Sequence, residues 1–401
     1  MADDTNDAPK PPPLPGAPST WARLRAAPVT TAIGVAAAAA TFAWWTTGRV
    51  TAQDRDAFCR LFWRTPEETW SGAWWTLVTS SLLHVNEAHV ALNLYWMYRL
   101  VTECERRMGP LRWLVFFVVT TALASFAELV IGNAPGMGLS GFEYAAFGFA
   151  WRRSHTDPRW RGVVHRAYPP LWIGWGVLCW VLTAAHVMQV GNAAHAAGLA
   201  AGLGWAFVTE SRWWYGVRIT AAAAVLGGAT AGAVVGVPWS GSWHYARAME
   251  AFRVPDAAAA VPEFRRAKEL GFYAGSCLDG IAAMEILRRN RTGYEEAMKE
   301  FDALDAKASR AARARREGSA GWEVMCAMEE MDARNAKAAL PHLFRARDLG
   351  VDRKWCLESI AWAHCVLRDS AEYDATMAEL KSVDAAAWED ARSRYGASVP
   401  K

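Results

Sequence analysis

Apolar residues gather into long runs over the first 240 positions, at 26–47, 76–101, 111–131, 140–151, 169–189, 193–209 and 217–238. About 20 apolar residues in a helix cross the ~30 Å hydrocarbon core of a bilayer, so this pattern predicts a helical membrane bundle with seven candidate segments. The run at 140–151 stands apart. Twelve helical residues rise only ~18 Å, and the preceding Gly132-Asn133-Ala134-Pro135-Gly136-Met137-Gly138-Leu139 cannot be regular helix. Irregular backbone at membrane depth is tolerated only where it is buried in protein or lines a watery cavity. Ser140 is therefore expected to start a helix part-way down, at the floor of a wet pocket. From about Trp239 onward the chain turns charged and Ala-rich. Its apolar positions there fall at helical spacing with Gly at the helix ends, which predicts soluble helices.

The soluble part repeats itself. Trp243, Ala248, Met249 and Glu250 recur as Trp322, Ala327, Met328 and Glu329, a shift of 79. Pro262, Arg266, Ala267, Leu270 and Gly271 recur at the same shift as Pro341, Arg345, Ala346, Leu349 and Gly350. Cys277, Leu278, Ile281 and Ala282 return as Cys356, Leu357, Ile360 and Ala361. Each copy has room for two helical hairpins of tetratricopeptide-like size, which predicts an α-solenoid, although the full tetratricopeptide signature is absent. The repeated cysteines read as small buried packing residues.

Composition narrows the function. Hydrophobic residues make up 53% of the chain and charged residues 21%, so a wholly soluble enzyme is excluded. The 23 Trp, 15 Phe and 10 Tyr exclude a disordered chain. A net charge of +3 gives no argument for nucleic acid. Seven cysteines without a CxxC pair signal neither zinc nor a disulfide framework.

Residues 1–25 read as a disordered cytoplasmic tail, Pro-rich up to Pro18. Arg23 and Arg25 then flank the first apolar run as a signal peptide's basic residues would. That run is long enough to span and lacks a cleavage site, so it is expected to stay as a membrane helix. Arg152, Arg153, Arg159, Arg161 and Arg166 crowd one connection, and Arg99, Arg106, Arg107 and Arg112 another. The connections 132–139 and 189–194 carry no charge. The positive-inside rule then places the Arg-rich loops and the N-terminus in the cytoplasm, and the Gly-rich loops and the repeats on the outer side.

Three sets of residues within the apolar runs carry chemistry. Gly138-Leu139-Ser140-Gly141, with Tyr144 and Gly148 after it, puts a serine at a helix N-terminus whose free backbone N–H groups can hold an oxyanion. The bland alternative is a small-residue packing patch. Ala194-His195, followed by Gly198 and Gly202, places an imidazole on a small-xxx-small face where another helix docks closely. A histidine bonded to a neighbouring carbonyl is the alternative there. His84, His89 and Asn93 form the third set. His89 and Asn93 share a helical face and offer hydrogen-bond donors to a developing negative charge. A polar interhelical clamp is the alternative, and a metal site is disfavoured because no Asp, Glu or Cys joins the histidines.

In their order along the chain, HxxxxHxxxN, ExRxG, GxSGxxxxxxG and AHxxGxxxG resemble the rhomboid intramembrane serine proteases over about residues 70–210. The resemblance implies Ser140 as nucleophile and His195 as general base. It implies His89, Asn93 and the Ser140 N–H as oxyanion-hole donors, with Tyr144 stacked on His195, Gly138 shaping the turn, and His84 in support. Glu105, Arg107 and Gly109 would be structural. The family's Trp-Arg pair in the first outer loop is here Trp75-Thr76, which puts the anchoring of that loop in question. The implied fold is all-α, with a six-helix rhomboid domain at 26–215, a seventh transmembrane helix at 216–240 and a helical repeat domain at 241–401.

The expected activity is a serine endopeptidase, without metal or cofactor, that cleaves transmembrane or juxtamembrane segments of membrane proteins through a Ser–His dyad. The expected setting is the bacterial inner (plasma) membrane, with a protein partner or substrate ectodomain at the repeats. The alternative is an inactive rhomboid-like scaffold that binds transmembrane helices. A transporter is disfavoured because it needs ionisable residues near mid-membrane and inverted repeats, and the apolar runs hold few carboxylates, Glu128 and Glu143 among them.

Overall fold

The computed structural model describes residues 19–47, 60–210 and 237–396. The chain divides into two compact units, Met1–Gly236 and Val237–Lys401. The expected seventh span and the N-terminal tail lie, apart from their last few residues, outside the described residues.

The first unit contains α1 (Thr20–Arg25), α2 (Pro28–Thr47), α3 (Pro66–Trp70), α4 (Thr76–Thr79), α5 (Glu87–Trp96), α6 (Thr102–Met108), α7 (Pro110–Ala127), α8 (Ser140–Thr156), α9 (Tyr168–Ala184) and α10 (Asn192–Thr209). A π-helical turn, Met97–Val101, joins α5 to α6, and another, Glu128–Gly132, extends α7. Pro28–Thr46 and Pro110–Gly132 are long and apolar enough to cross a membrane.

The apolar run 76–101 is not one helix. Leu83 is extended (φ −94°, ψ 145°), and α5 starts afresh where the Asn86 side chain accepts the His89 N–H at 2.9 Å. An asparagine satisfying an otherwise orphaned amide makes that break stable. The short segment predicted at 140–151 is also longer than the apolar run. Arg152 and Arg153 continue α8 to Thr156, about 25 Å in all, and an Arg153–Asp157 pair at 2.7 Å closes its end.

α8 is the buried centre, with every residue from Gly141 to Ala150 inside. Aromatic side chains pack on one side of it, with Trp113 stacked on Phe116 and Phe117 edge-on to Phe142. α10 lies so close that a Cβ at Gly198 would collide with the Gly141 carbonyl, and one at Gly202 with the Ala145 carbonyl. From the other side, a Cβ at Gly148 would sit 2.7 Å from the Leu199 carbonyl oxygen. Glycine at these positions lets two backbones touch.

The second unit comprises α11 (Gly241–Arg253), α12 (Ala257–Glu269), α13 (Ala274–Leu287), α14 (Arg291–Arg316), α15 (Ala320–Asp332), α16 (Ala336–Asp348), α17 (Arg353–Leu367), α18 (Ser370–Val383) and α19 (Ala385–Tyr395). Helices pack chiefly on their sequence neighbours. The sequence repeat is a structural one, but each copy has five helical segments, not two hairpins. In α14, Asp305 breaks the helix at φ −153°, ψ 91°, and its equivalent Asp384 separates α18 from α19 at φ −153°, ψ 103°. Each aspartate caps the segment that follows: Asp305 accepts the Ala308 N–H and Asp384 the Ala387 N–H, both at 2.9 Å. Cys277 and Cys356 are fully buried, and burial pushes their thiols up to about 12 and about 11.

One repeated contact is inverted between the copies. His244 Nδ1 meets Glu263 Oε2 at 2.5 Å, linking α11 to α12. In the second copy the acid comes first: Glu323 Oε2 meets His342 Nδ1, again at 2.5 Å. The pair is kept while its members trade places.

Two outcomes are expected. In thermal unfolding of the purified protein, Gly202→Val should destabilise the first unit by about 1–3 kcal/mol or more. Gly204→Ala, where a Cβ meets nothing within 4 Å, should not. In the second unit, His244→Glu alone should cost about 1–3 kcal/mol by leaving carboxylates face to face, and adding Glu263→His should restore most of it. A double variant no more stable than the single one would refute the inversion.

Candidate active site

Ser140 is the first residue of α8, and the Glu143 N–H donates the first helical bond to the Leu139 carbonyl at 2.9 Å. The amides before Glu143 have no helical acceptor and stay available to a ligand. The turn leading in requires Gly138, whose φ of +94° suits glycine. A Cβ there would also sit 2.6 Å from His89 Cε1 and 3.3 Å from the Asn93 amide. His89 and Asn93 on α5 therefore lie directly against the backbone that delivers the serine.

His195 stands in the first turn of α10, and its Nε2 is 2.7 Å from Ser140 Oγ. The contact of Gly198 and Gly202 with α8 sets this separation. Tyr144, one turn below the serine, stacks on the imidazole with ring centres 4.6 Å apart and planes 26° from parallel. Its hydroxyl donates to the Trp172 carbonyl on α9 at 2.9 Å, in space left by Gly176. The imidazole is thus backed by an aromatic face that a third helix holds in place. His195 Nδ1 is buried, and among the described residues it has no hydrogen-bond partner and no carboxylate completing a triad.

On the α5 side of Gly138 lies a buried polar set. His84 Nδ1 is 3.2 Å from Thr41 Oγ1, and its ring meets His89 edge-on at 4.8 Å. With the Asn93 amide oriented so that both its ends find partners, its oxygen meets His84 Nε2 (2.8 Å) and the Leu139 N–H (3.2 Å), and its nitrogen Glu143 Oε2 (3.2 Å). Glu143 is 1% exposed, and its Oε1 has no partner. Glu143 thus has a polar neighbour in Asn93.

Glu105, Arg107 and Gly109 join helices elsewhere. Glu105 accepts the Val29 and Thr30 N–H groups at 3.0 and 2.7 Å, capping α2. Arg107 donates to the Arg159 carbonyl at 3.0 Å and the Glu103 carbonyl at 2.9 Å. Gly109, at φ +85°, makes the turn into α7. Thr76, in place of the family arginine, is buried with its hydroxyl on the Ala73 carbonyl at 2.7 Å. Arg64 stands over the Trp75 ring at 6.0 Å and pairs with Glu68 at 2.8 Å, so a guanidinium reaches this loop from another position.

Sequence reasoning assigned no part to Thr41, Trp172 or Glu128. Glu128 Oε2 accepts the Ala194 N–H at 3.0 Å and so caps the helix that carries His195, one residue away. A carboxylate inside an apolar run was its only signal.

The family model described as Rhomboid domain matches residues 71–212, a stretch that holds Ser140, His195, His89, Asn93 and the glycines of the α8–α10 contact. This part of the chain is a rhomboid domain, and the protein is accordingly an integral membrane protein.

Proposed function

We propose that the rhomboid domain is an intramembrane serine endopeptidase that hydrolyses peptide bonds in or beside the transmembrane helices of membrane proteins. The observation that carries this reading is the 2.7 Å approach of Ser140 Oγ to His195 Nε2, from separate helices. A serine hydroxyl is a weak nucleophile until an adjacent base takes its proton. In the proposed sequence, Nε2 removes the Oγ proton as Oγ bonds to the scissile carbonyl carbon, giving a tetrahedral oxyanion. Collapse breaks the C–N bond, and the proton on Nε2 passes to the leaving amine. Water, deprotonated in turn by Nε2, then hydrolyses the acyl-enzyme.

The oxyanion would be met by the Ser140 N–H, by His89 and by Asn93. In the resting arrangement the Asn93 oxygen faces the Leu139 N–H, so donation requires a half-turn of the amide about Cβ–Cγ. Tyr144 takes the part of the missing carboxylate by fixing the ring's plane. A substrate helix must also unwind locally, since its amides are already hydrogen-bonded and its carbonyls shielded.

In proteoliposomes with a fluorescent transmembrane substrate, Ser140→Ala and His195→Ala should abolish cleavage, and a serine-directed fluorophosphonate should label the wild type but not Ser140→Ala. Asn93→Ala should lower kcat by about 10²–10³-fold. A folded wild type that neither cleaves nor takes the label would identify an inactive membrane-helix scaffold instead. Substrates with Gly or Pro near the cleavage point should be cut faster than all-Leu helices, measured as relative kcat/KM; equal rates would remove the unwinding step.

A further inference from the structure

A cavity of the first unit lies away from Ser140, at the arginine-rich end of the bundle, where α6 passes into α7 and where α8 and α10 finish. Its volume is about 570 Å³, and Arg107, Arg112, Arg153 and Arg159 line it, with no carboxylate among the described residues of its wall. That volume falls within the ~300–1,000 Å³ of ordinary small-molecule sites.

The charges around it do not cancel. Glu103 is shared by Arg23, Arg106 and Arg107, and Asp157 by Arg153 and Arg159. The next acid along, Glu210, is taken by Arg152, with both oxygens at 2.8 Å. Arg112 makes none of these pairs. Arg153 is half spent as well: its Nη2 holds Asp157 at 2.7 Å while its Nε is buried without a partner. A guanidinium N–H shut away from water without an acceptor is costly, and an oxyanion in the cavity would relieve it.

The remaining wall is apolar apart from Thr209. Leu111 and Val115, one turn apart on α7, are 74% and 47% exposed, and Trp205 of α10 lies opposite. In a membrane protein, exposed apolar residues of this kind face acyl chains. Guanidinium groups at the end of the bundle and hydrocarbon one turn further in match one amphiphile: a phosphate diester carrying two acyl chains. Basic hollows between membrane helices on the side that the positive-inside rule assigns to the cytoplasm suit such headgroups.

We propose that this cavity binds the phosphate of an anionic glycerophospholipid, with Arg112, Arg153 and Arg159 on the headgroup and Leu111 and Val115 along an acyl chain. The site shares no residue with the serine–histidine pair, so it stands or falls independently of the protease reading. The shared chemistry is phosphate recognition, and the lipid is favoured over a free phosphate by the exposed apolar wall.

The test is native mass spectrometry of the full-length protein in detergent, titrated with phosphatidylglycerol, with phosphatidylcholine, and with inorganic phosphate or sn-glycerol 3-phosphate as competitors. Phosphatidylglycerol is expected to bind at least tenfold more tightly than phosphatidylcholine. The double variant Arg112→Gln, Arg159→Gln should lose about tenfold or more of that affinity. Both side chains are exposed, so the variant should fold, with thermal unfolding as the check. Arg152→Gln, whose partner is Glu210, should retain the preference. Equal binding of the two lipids, or an unchanged preference in the double variant, would overturn the proposal. Displacement of phosphatidylglycerol by glycerol 3-phosphate at equal concentration would overturn it too, in favour of a soluble phosphate ligand.

Discussion

The rhomboid domain depends on two helix backbones touching. α8 and α10 meet where Gly198 and Gly202 lie against the Gly141 and Ala145 carbonyls, closer than any side chain allows. In lipid there is little hydrophobic drive to bring helices together, so close packing must supply the attraction, and small residues make it possible. Ser140 sits one residue before that contact on α8, and His195 three residues before it on α10. A serine Oγ reaches only a short way from its backbone, so a 2.7 Å approach to an imidazole on another helix is achieved only if the axes are already close. The glycines make no bond to Ser140 or His195, yet they fix the distance on which the proposed chemistry depends.

Around that contact, buried carboxylates act on helix ends. Glu105 accepts both free amides at the start of α2, and Glu128 accepts one at the start of α10. An unsatisfied N–H in a dry interior is expensive, and a carboxylate there also favours the positive end of the helix dipole. The two acids that made transport worth considering in the sequence thus have structural partners: Glu128 on the His195 helix and Glu143 on Asn93.

The sequence makes the site more legible than the fold that carries it. The Ser140 helix start could be read because Gly-Asn-Ala-Pro-Gly cannot be helix, and the His195 face because Gly198 and Gly202 recur at a spacing that only close packing explains. The break at Leu83 was hidden because apolar residues continue through it, and its cause is local capping by Asn86. The fifth helix of each repeat was hidden for a related reason: Asp305 sits in an otherwise uninterrupted helical pattern, and its effect shows only in the backbone angles. The Glu128 cap and the Tyr144 bond to Trp172 are long-range pairings, and periodicity carries no information about which helix a side chain will meet.

Among the described residues no acid stands beside His195, and the ring is held in place by other means. In a serine–histidine–aspartate arrangement the carboxylate orients the imidazole and stabilises its charged form. Orientation here comes from stacking on Tyr144, itself held by the α9 backbone, and from an α10 N-terminus pinned by Glu128. For the imidazolium of the proposed mechanism no such substitute stands among the described residues, where Nδ1 has no partner. In the proposed mechanism such a base would be well positioned but weakly supported, and more of the rate would come from the geometry of the approach and from the proposed oxyanion donors. Those donors are gathered at one place, where His89 and Asn93 press on Gly138 and the first amides of α8 lie open.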